Sequence, residues 1–248
     1  AYITVPEDAD MPEVSRLYIT FNGGNTGDDK PHIYIDNVIV YETKNNVMCK
    51  ASNYFQDGMM FQQNKPMTVW GASAAAGRTV KAELIKNETV IETQTAAVGD
   101  NLNWKLSFSA QKGSYDTYTI KLYDNDIEFK TISDILIGEL WLAAGQSNME
   151  YTVEEVSSEE IESYKANNNI RFFKYASKPS VFTVAEKTDS DGYWRYSTAS
   201  GMKTASAVAY SMCQKMEAEL KVPVGFIDVS WGGTPIETWL SKAAIDGD

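Results

Sequence analysis

The chain has 248 residues, 43% of them hydrophobic, which is ordinary for a folded globular protein of one large domain or two modest ones. With 34 acidic against 22 basic residues its formal charge is −12, so it repels phosphate backbones and anionic lipid surfaces and nucleic acid is not an expected partner. The longest apolar stretch, Ile135 to Ala144, is ten residues and is interrupted by Glu139, too short to span a bilayer, so no membrane insertion is expected.

Nothing near residue 1 has the basic and then apolar order of a signal peptide, and the expectation is a start that is processed or cut away. Residues 1–46 hold "RLYITFNGG" and "HIYIDNVIVYE", two alternating β-rich runs around a Gly/Asn/Asp-rich loop. Two strands do not make a stable domain. The run "IYIDNVIVYE" resembles the closing strand of jelly-roll carbohydrate-binding modules, which implies the tail of such a module.

Residues 47–134 carry short runs separated by turn signals: "PMTVWGA", "TVKAELIK", "ETVIETQTA", "NWKLSFSA" and "YDTYTIKLYD". That spacing predicts an antiparallel β-sandwich. Trp70, Trp104, Tyr115, Tyr118 and Tyr123 could form a sugar-stacking platform, but aromatic residues in sandwich strands are more often core and no site is assigned there. Cys49 and Cys213 read as two buried free thiols.

Near Ile135 the pattern changes. A continuous apolar strand is followed by an acidic helical stretch at 151–166 and a strand at 170–176, an alternation that suggests a parallel sheet over 135–248. Ala205, Val208, Ala209, Met212 and Met216 recur at helical spacing, and "VPVGFIDVS" follows as a second buried strand.

The apolar strand ends on Gly145-Gln146-Ser147-Asn148. In a parallel sheet ligands bind at the carboxyl ends of strands. A glycine permits a tight turn there, a serine after it can project its hydroxyl, and a helix that follows offers N–H groups to developing negative charge. Ser147 and Glu150 also spell S-x-x-E, a capping box in which the hydroxyl merely accepts a backbone hydrogen bond. The later strand ends on Gly232-Gly233, then opens a helix with Thr234 as N-cap, Pro235 first and Glu237 third. Those glycine amides are unobstructed by side chains and could bind an oxyanion, or could simply form a tight turn.

"DILIGELWLAAGQSNME" with "SAVAYSMCQKMEAELKVPVGFIDVSWGGTPIETWLS" resembles the sialate O-acetylesterase group of SGNH-type hydrolases, and the likeness extends back through "DGMMFQQNKPMTVWGASAAAGRTVKAELI". The resemblance implies a β-sandwich followed by an incomplete α/β SGNH-hydrolase domain with a flavodoxin-like parallel sheet. It implies Ser147 as nucleophile and oxyanion N–H, Gly232 or Gly233 as a second oxyanion N–H with Gly232 favoured, and Gln146 and Asn148 as residues that shape the turn and meet the substrate. The reaction implied is removal of O-acetyl groups from sialic acid through an acetyl-serine, with no metal or cofactor.

Family members carry two further blocks downstream, a GE-type block with a polar side chain and a D-x-x-H block holding the catalytic base, and neither occurs before Asp248. The only histidine, His32, lies in the leading β-rich segment and reads as a plain strand residue. The expectation is therefore a piece of a longer modular esterase, nearly inactive by itself, whose partners are an O-acetylated glycan and the remainder of its own chain. A noncatalytic glycan-binding protein with a degenerate hydrolase scaffold and an acetylxylan-type esterase are the alternatives. A lipid esterase fits the nucleophile but not the adjoining β-domain. Glycan substrates of this kind imply a secreted, cell-surface or periplasmic location.

Overall fold

The computed structural model describes residues 47–175 and 191–247. The β-rich runs of residues 1–46 and His32 lie outside the described residues. Strands β1 (Cys49–Ala51), β2 (Met60–Gln62), β3 (Met67–Ser73), β4 (Thr79–Lys86), β5 (Thr89–Ala97), β6 (Asn103–Phe108) and β7 (Ser114–Asp124) precede a 17-residue strand, β8 (Ile127–Ala143). All five runs singled out in this part of the sequence are strands. Beyond it come α1 (Ser147–Glu150), α2 (Ser158–Ile161), β9 (Ile170–Lys174), β10 (Tyr193–Tyr196), α3 (Ala207–Leu220), β11 (Val224–Asp228) and α4 (Lys242–Asp246).

Alternation of apolar and polar residues gives β4, β6 and β7 one buried face each. A three-stranded sheet in the order β1-β3-β6 and the larger sheet containing β4, β7 and β8 bury one core, to which Val69, Leu106 and Phe108 come from the first and Val80, Leu84, Ile120, Leu122 and Ile132 from the second. Hairpins β4–β5 and β7–β8 close on pairs of residues with positive φ, Asn87-Glu88 (49° and 62°) and Asn125-Asp126 (46° and 72°). Turns with two such residues have a twist that matches the strands they join.

Strand β8 connects the two kinds of pairing. Its first part is antiparallel to β7, while Glu139–Ala143 runs parallel to β11, which is itself parallel to β9. The larger sheet therefore runs β10-β9-β11-β8-β7-β4-β5, with β2 beside β8. A second core lies under the parallel strands, where Phe172 and Phe226 stack with ring centroids 5.2 Å apart beneath α3. Arg171, 4% exposed, joins the two regions: its guanidinium donates to the Asp134 carboxylate at 2.9 Å and to the Asp134 carbonyl.

The helical expectations need three corrections. The acidic stretch 151–166 is not one helix; it breaks into a 3₁₀ turn at Val153–Glu155 and the single turn α2. Thr152 with Glu155 and Ser157 with Glu160 each form a capping box, so the sequence starts a helix twice within six residues and continues neither. In α3 the buried residues are Ala207, Ala209, Tyr210 and Cys213, whereas Val208 and Met212 are exposed. Of the expected positions Ala205 and Ala209 are buried and Met216 packs against the second core, while Tyr210 turns inward and its hydroxyl donates to the Lys165 carbonyl at 2.7 Å. After Gly233 the chain makes a 3₁₀ turn, Ile236–Trp239, with Pro235 at its N-cap, so Thr234 caps no helix.

The aromatic residues of the β-region divide as core and surface. Trp104 and Tyr118 are buried, Trp70 packs edge-on to Phe55, and Tyr115 and Tyr123 donate their hydroxyls to Glu217 and Glu83. Cys49 and Cys213 are both buried and free. Among the described residues no helix is long and apolar enough to cross a membrane.

Candidate active site

Parallel register places Ala143 of β8 opposite Asp228 of β11, so both strands end at the same level. The chains stay paired beyond that point, with Val229 N–H donating to the Ala143 carbonyl at 3.0 Å and Trp231 N–H to the Gly145 carbonyl at 2.8 Å. Two glycine-bearing loops, 145–148 and 231–234, are thus brought side by side at the carboxyl end of the sheet.

Asp228 anchors the second loop from below. Its buried carboxylate accepts from Lys174 Nζ at 2.7 Å and from the Ser230 N–H at 3.0 Å, and also from the Ser230 hydroxyl. Above it, the Thr234 hydroxyl donates to the Trp231 carbonyl at 2.8 Å and accepts from the Trp239 indole at 3.0 Å, holding the loop's far end.

Ser147 is the first residue of α1, and its side chain is not a cap. The hydroxyl is exposed and donates to Gln146 Oε1 at 3.2 Å, while Gln146 Nε2 donates to the Thr234 carbonyl at 2.9 Å. Gln146 therefore links the serine to the opposite loop. The capping-box alternative is not realised, because the Glu150 N–H goes to the Gln146 carbonyl and the Glu150 carboxylate accepts from the Gly232 N–H.

That carboxylate accepts the Gly232 N–H at 2.6 Å. The favoured oxyanion amide is thus the one that a carboxylate engages. A Cβ on Gly232 would lie 2.5 Å from Glu150 Oε2 and only 3.6 Å and 3.7 Å from Ser147 Cα and Cβ, so the loop rests directly on the serine. Gly233 is different. It is exposed, has φ +75°, and a Cβ there would meet nothing within 4 Å. Among the described residues neither the Ser147 nor the Gly233 N–H has an internal acceptor. Asn148 is exposed and makes no hydrogen bond among the described residues.

The arrangement offers an exposed hydroxyl and two amide N–H groups, of Ser147 and Gly233, without an internal acceptor among the described residues. What it lacks among the described residues is a histidine to take the hydroxyl proton, and an amide oxygen such as that of Gln146 is too weak a base for the task. Sequence reasoning passed over Glu150, which it read only as a capping partner, and over Lys174 and Asp228. The placement of Gly233 beyond the loop's contact with Ser147 was not readable from the Gly-Gly pair.

Residues 137–246, which contain both loops, match the family model of sialic acid-specific acetylesterases among the carbohydrate esterases. This segment is similar to that family. Curated relatives agree with the assignment: the chain is 28% identical over 201 residues to a sialate O-acetylesterase of Rattus norvegicus, covering 76% of this chain and 37% of that protein. It is 25% identical over 206 residues to the sialate O-acetylesterase of Homo sapiens, covering 79% and 39%. The fold is similar to that of a crystal structure of a carbohydrate acetylesterase from Xanthomonas citri, with a TM-score of 0.71, 27% identity and coverage of 80% of this chain and 43% of that one. The chain thus spans well under half the length of these acetylesterases.

Proposed function

We propose that the protein is part of a carbohydrate O-acetylesterase that removes O-acetyl groups from sialic acid, with Ser147 as nucleophile. In this reading the two-sheet region is the β-sandwich of the family and the parallel region is the first half of its SGNH-hydrolase domain. A base takes the Ser147 Oγ proton as the oxygen attacks the acetyl carbonyl, and the Ser147 and Gly233 N–H groups hold the charge that develops on the carbonyl oxygen. Collapse releases the sugar hydroxyl, which recovers the proton from the base. Water, deprotonated by the same base, then attacks the acetyl-serine, and collapse of a second tetrahedral intermediate releases acetate as the base returns that proton to Ser147 Oγ. We assign the base to a D-x-x-H block in the rest of the longer protein, and the location to the cell exterior or periplasm, where such glycans occur.

The observation that carries this reading is the contact of two glycine-bearing loops from adjacent parallel strands, with Gly232 seated against Ser147. The test is acetate release from an O-acetylated sialic acid by the natural full-length protein, by its Ser147→Ala variant and by the 248-residue chain. Activity in the unmutated full-length protein, reduced about 10⁴-fold or more in Ser147→Ala, is expected. Equal inactivity of all three would favour a glycan-binding scaffold, and activity retained in Ser147→Ala would refute the serine mechanism.

A further inference from the structure

Resting on that reading, we infer that Glu150 is a positioning residue: by accepting the Gly232 N–H it holds the Gly-Gly loop on the serine turn and leaves Gly233 as the amide donor for the acetyl oxygen. The bond is 2.6 Å long and joins residues 82 apart in sequence. Both partners are partly buried, which shields the interaction from competing water. It lies between two other links across the same junction, Trp231 N–H to the Gly145 carbonyl and Gln146 Nε2 to the Thr234 carbonyl. Those two fix the loop's ends, and among the described residues Glu150 alone fixes its middle.

The opposite role for the same contact makes a distinguishable prediction. Were Gly232 the oxyanion donor, the carboxylate would compete with the oxyanion for it, and removing Glu150 would raise kcat. With Gly233 as donor the carboxylate fixes the neighbouring peptide, and removing it lets the donor drift. Catalytic groups must be held within a fraction of an ångström, so such drift lowers kcat while substrate binding is largely kept.

Kinetics on the natural full-length protein, with an O-acetylated sialic acid as substrate, separate these cases. Glu150→Ala should lower kcat roughly 10- to 100-fold, within what loss of one oxyanion donor costs, with KM changed less than about 3-fold. Glu150→Gln, which retains an acceptor oxygen of the same reach, should restore most of the loss. A kcat at or above wild type in Glu150→Ala would overturn the inference, as would an effect confined to KM or a Glu150→Gln variant no better than alanine. Ser147→Ala measured alongside keeps the two claims apart: its failure to abolish activity would remove the serine mechanism, whereas an inactive Ser147→Ala beside an unaffected Glu150→Ala would remove only the positioning role.

Discussion

Gly232→Ala is the substitution on which the loop contact makes its sharpest demand. The added methyl would lie 2.5 Å from Glu150 Oε2, about 0.9 Å inside ordinary contact, so one of the two must move. The carboxylate is the end of a flexible side chain, and turning it aside breaks the 2.6 Å bond to the Gly232 N–H. A hydrogen bond to a charged group contributes about 1.5–3 kcal/mol, and part of the loss is recovered when the freed carboxylate meets water. A destabilisation of about 1.5–2 kcal/mol is expected, roughly 3–8 °C in Tm for a domain of this size. The assay is a double-mutant cycle in denaturant with Glu150→Ala as the second change. In that background the methyl has no carboxylate to displace, so Gly232→Ala should cost less than about 0.5 kcal/mol. An undiminished cost in the Glu150→Ala background would show that the methyl collides with the serine turn instead, and the reasoning from Glu150 would fall.

Other expectations are independent of the catalytic reading. Burial alone would raise the Asp124 carboxyl, but Arg78 at 2.5 Å and the N–H groups of Met48 and Cys49 outweigh it and hold it below the usual range. Its contribution to stability is then full above about pH 4 and is lost as pH falls through the lowered value, which Asp124→Asn should flatten in pH-dependent unfolding while costing about 3 kcal/mol at pH 7. Burial pushes the Cys49 thiol to about 11 and the Cys213 thiol to about 12, so at pH 8 alkylation followed by mass spectrometry should mark neither until denaturant is added. Tyr210→Phe deletes the hydroxyl bond to Lys165 and leaves that carbonyl short of a donor, and should cost about 1 kcal/mol in equilibrium unfolding.

What was legible in the sequence is what depends on neighbours in the chain. Short runs between turn signals marked β3 to β7, and the apolar runs at 135–144 and 222–230 marked the two parallel strands that carry the candidate loops. The helices were less legible because capping chemistry competes with periodicity over short stretches: Ser157 and Glu160 begin a helix where the acidic run alone suggests continuation. Along α3 nearly every position on two adjoining faces is apolar, so spacing could not select the Tyr210–Cys213 face over the Val208–Met212 face. That choice is made by tertiary partners.

The site shows the same division more sharply. Ser147 and the Gly-Gly pair are visible because each lies where a buried strand stops, a local signal. Which glycine amide is available is settled by Glu150, 82 residues from Gly232 and brought to it only by the parallel register of β8 and β11. A slip of one residue in that register would move the Gly-Gly loop by about 3.3 Å, more than the length of the hydrogen bond itself, and would turn every side chain of β11 to the opposite face. The buried Phe226 and the Asp228 anchor forbid the slip, since it would send the ring away from Phe172 and the carboxylate away from Lys174. The packing of the parallel sheet therefore sets the geometry of the loops, and the same apolar residues that hold β11 in place determine which glycine amide Glu150 engages.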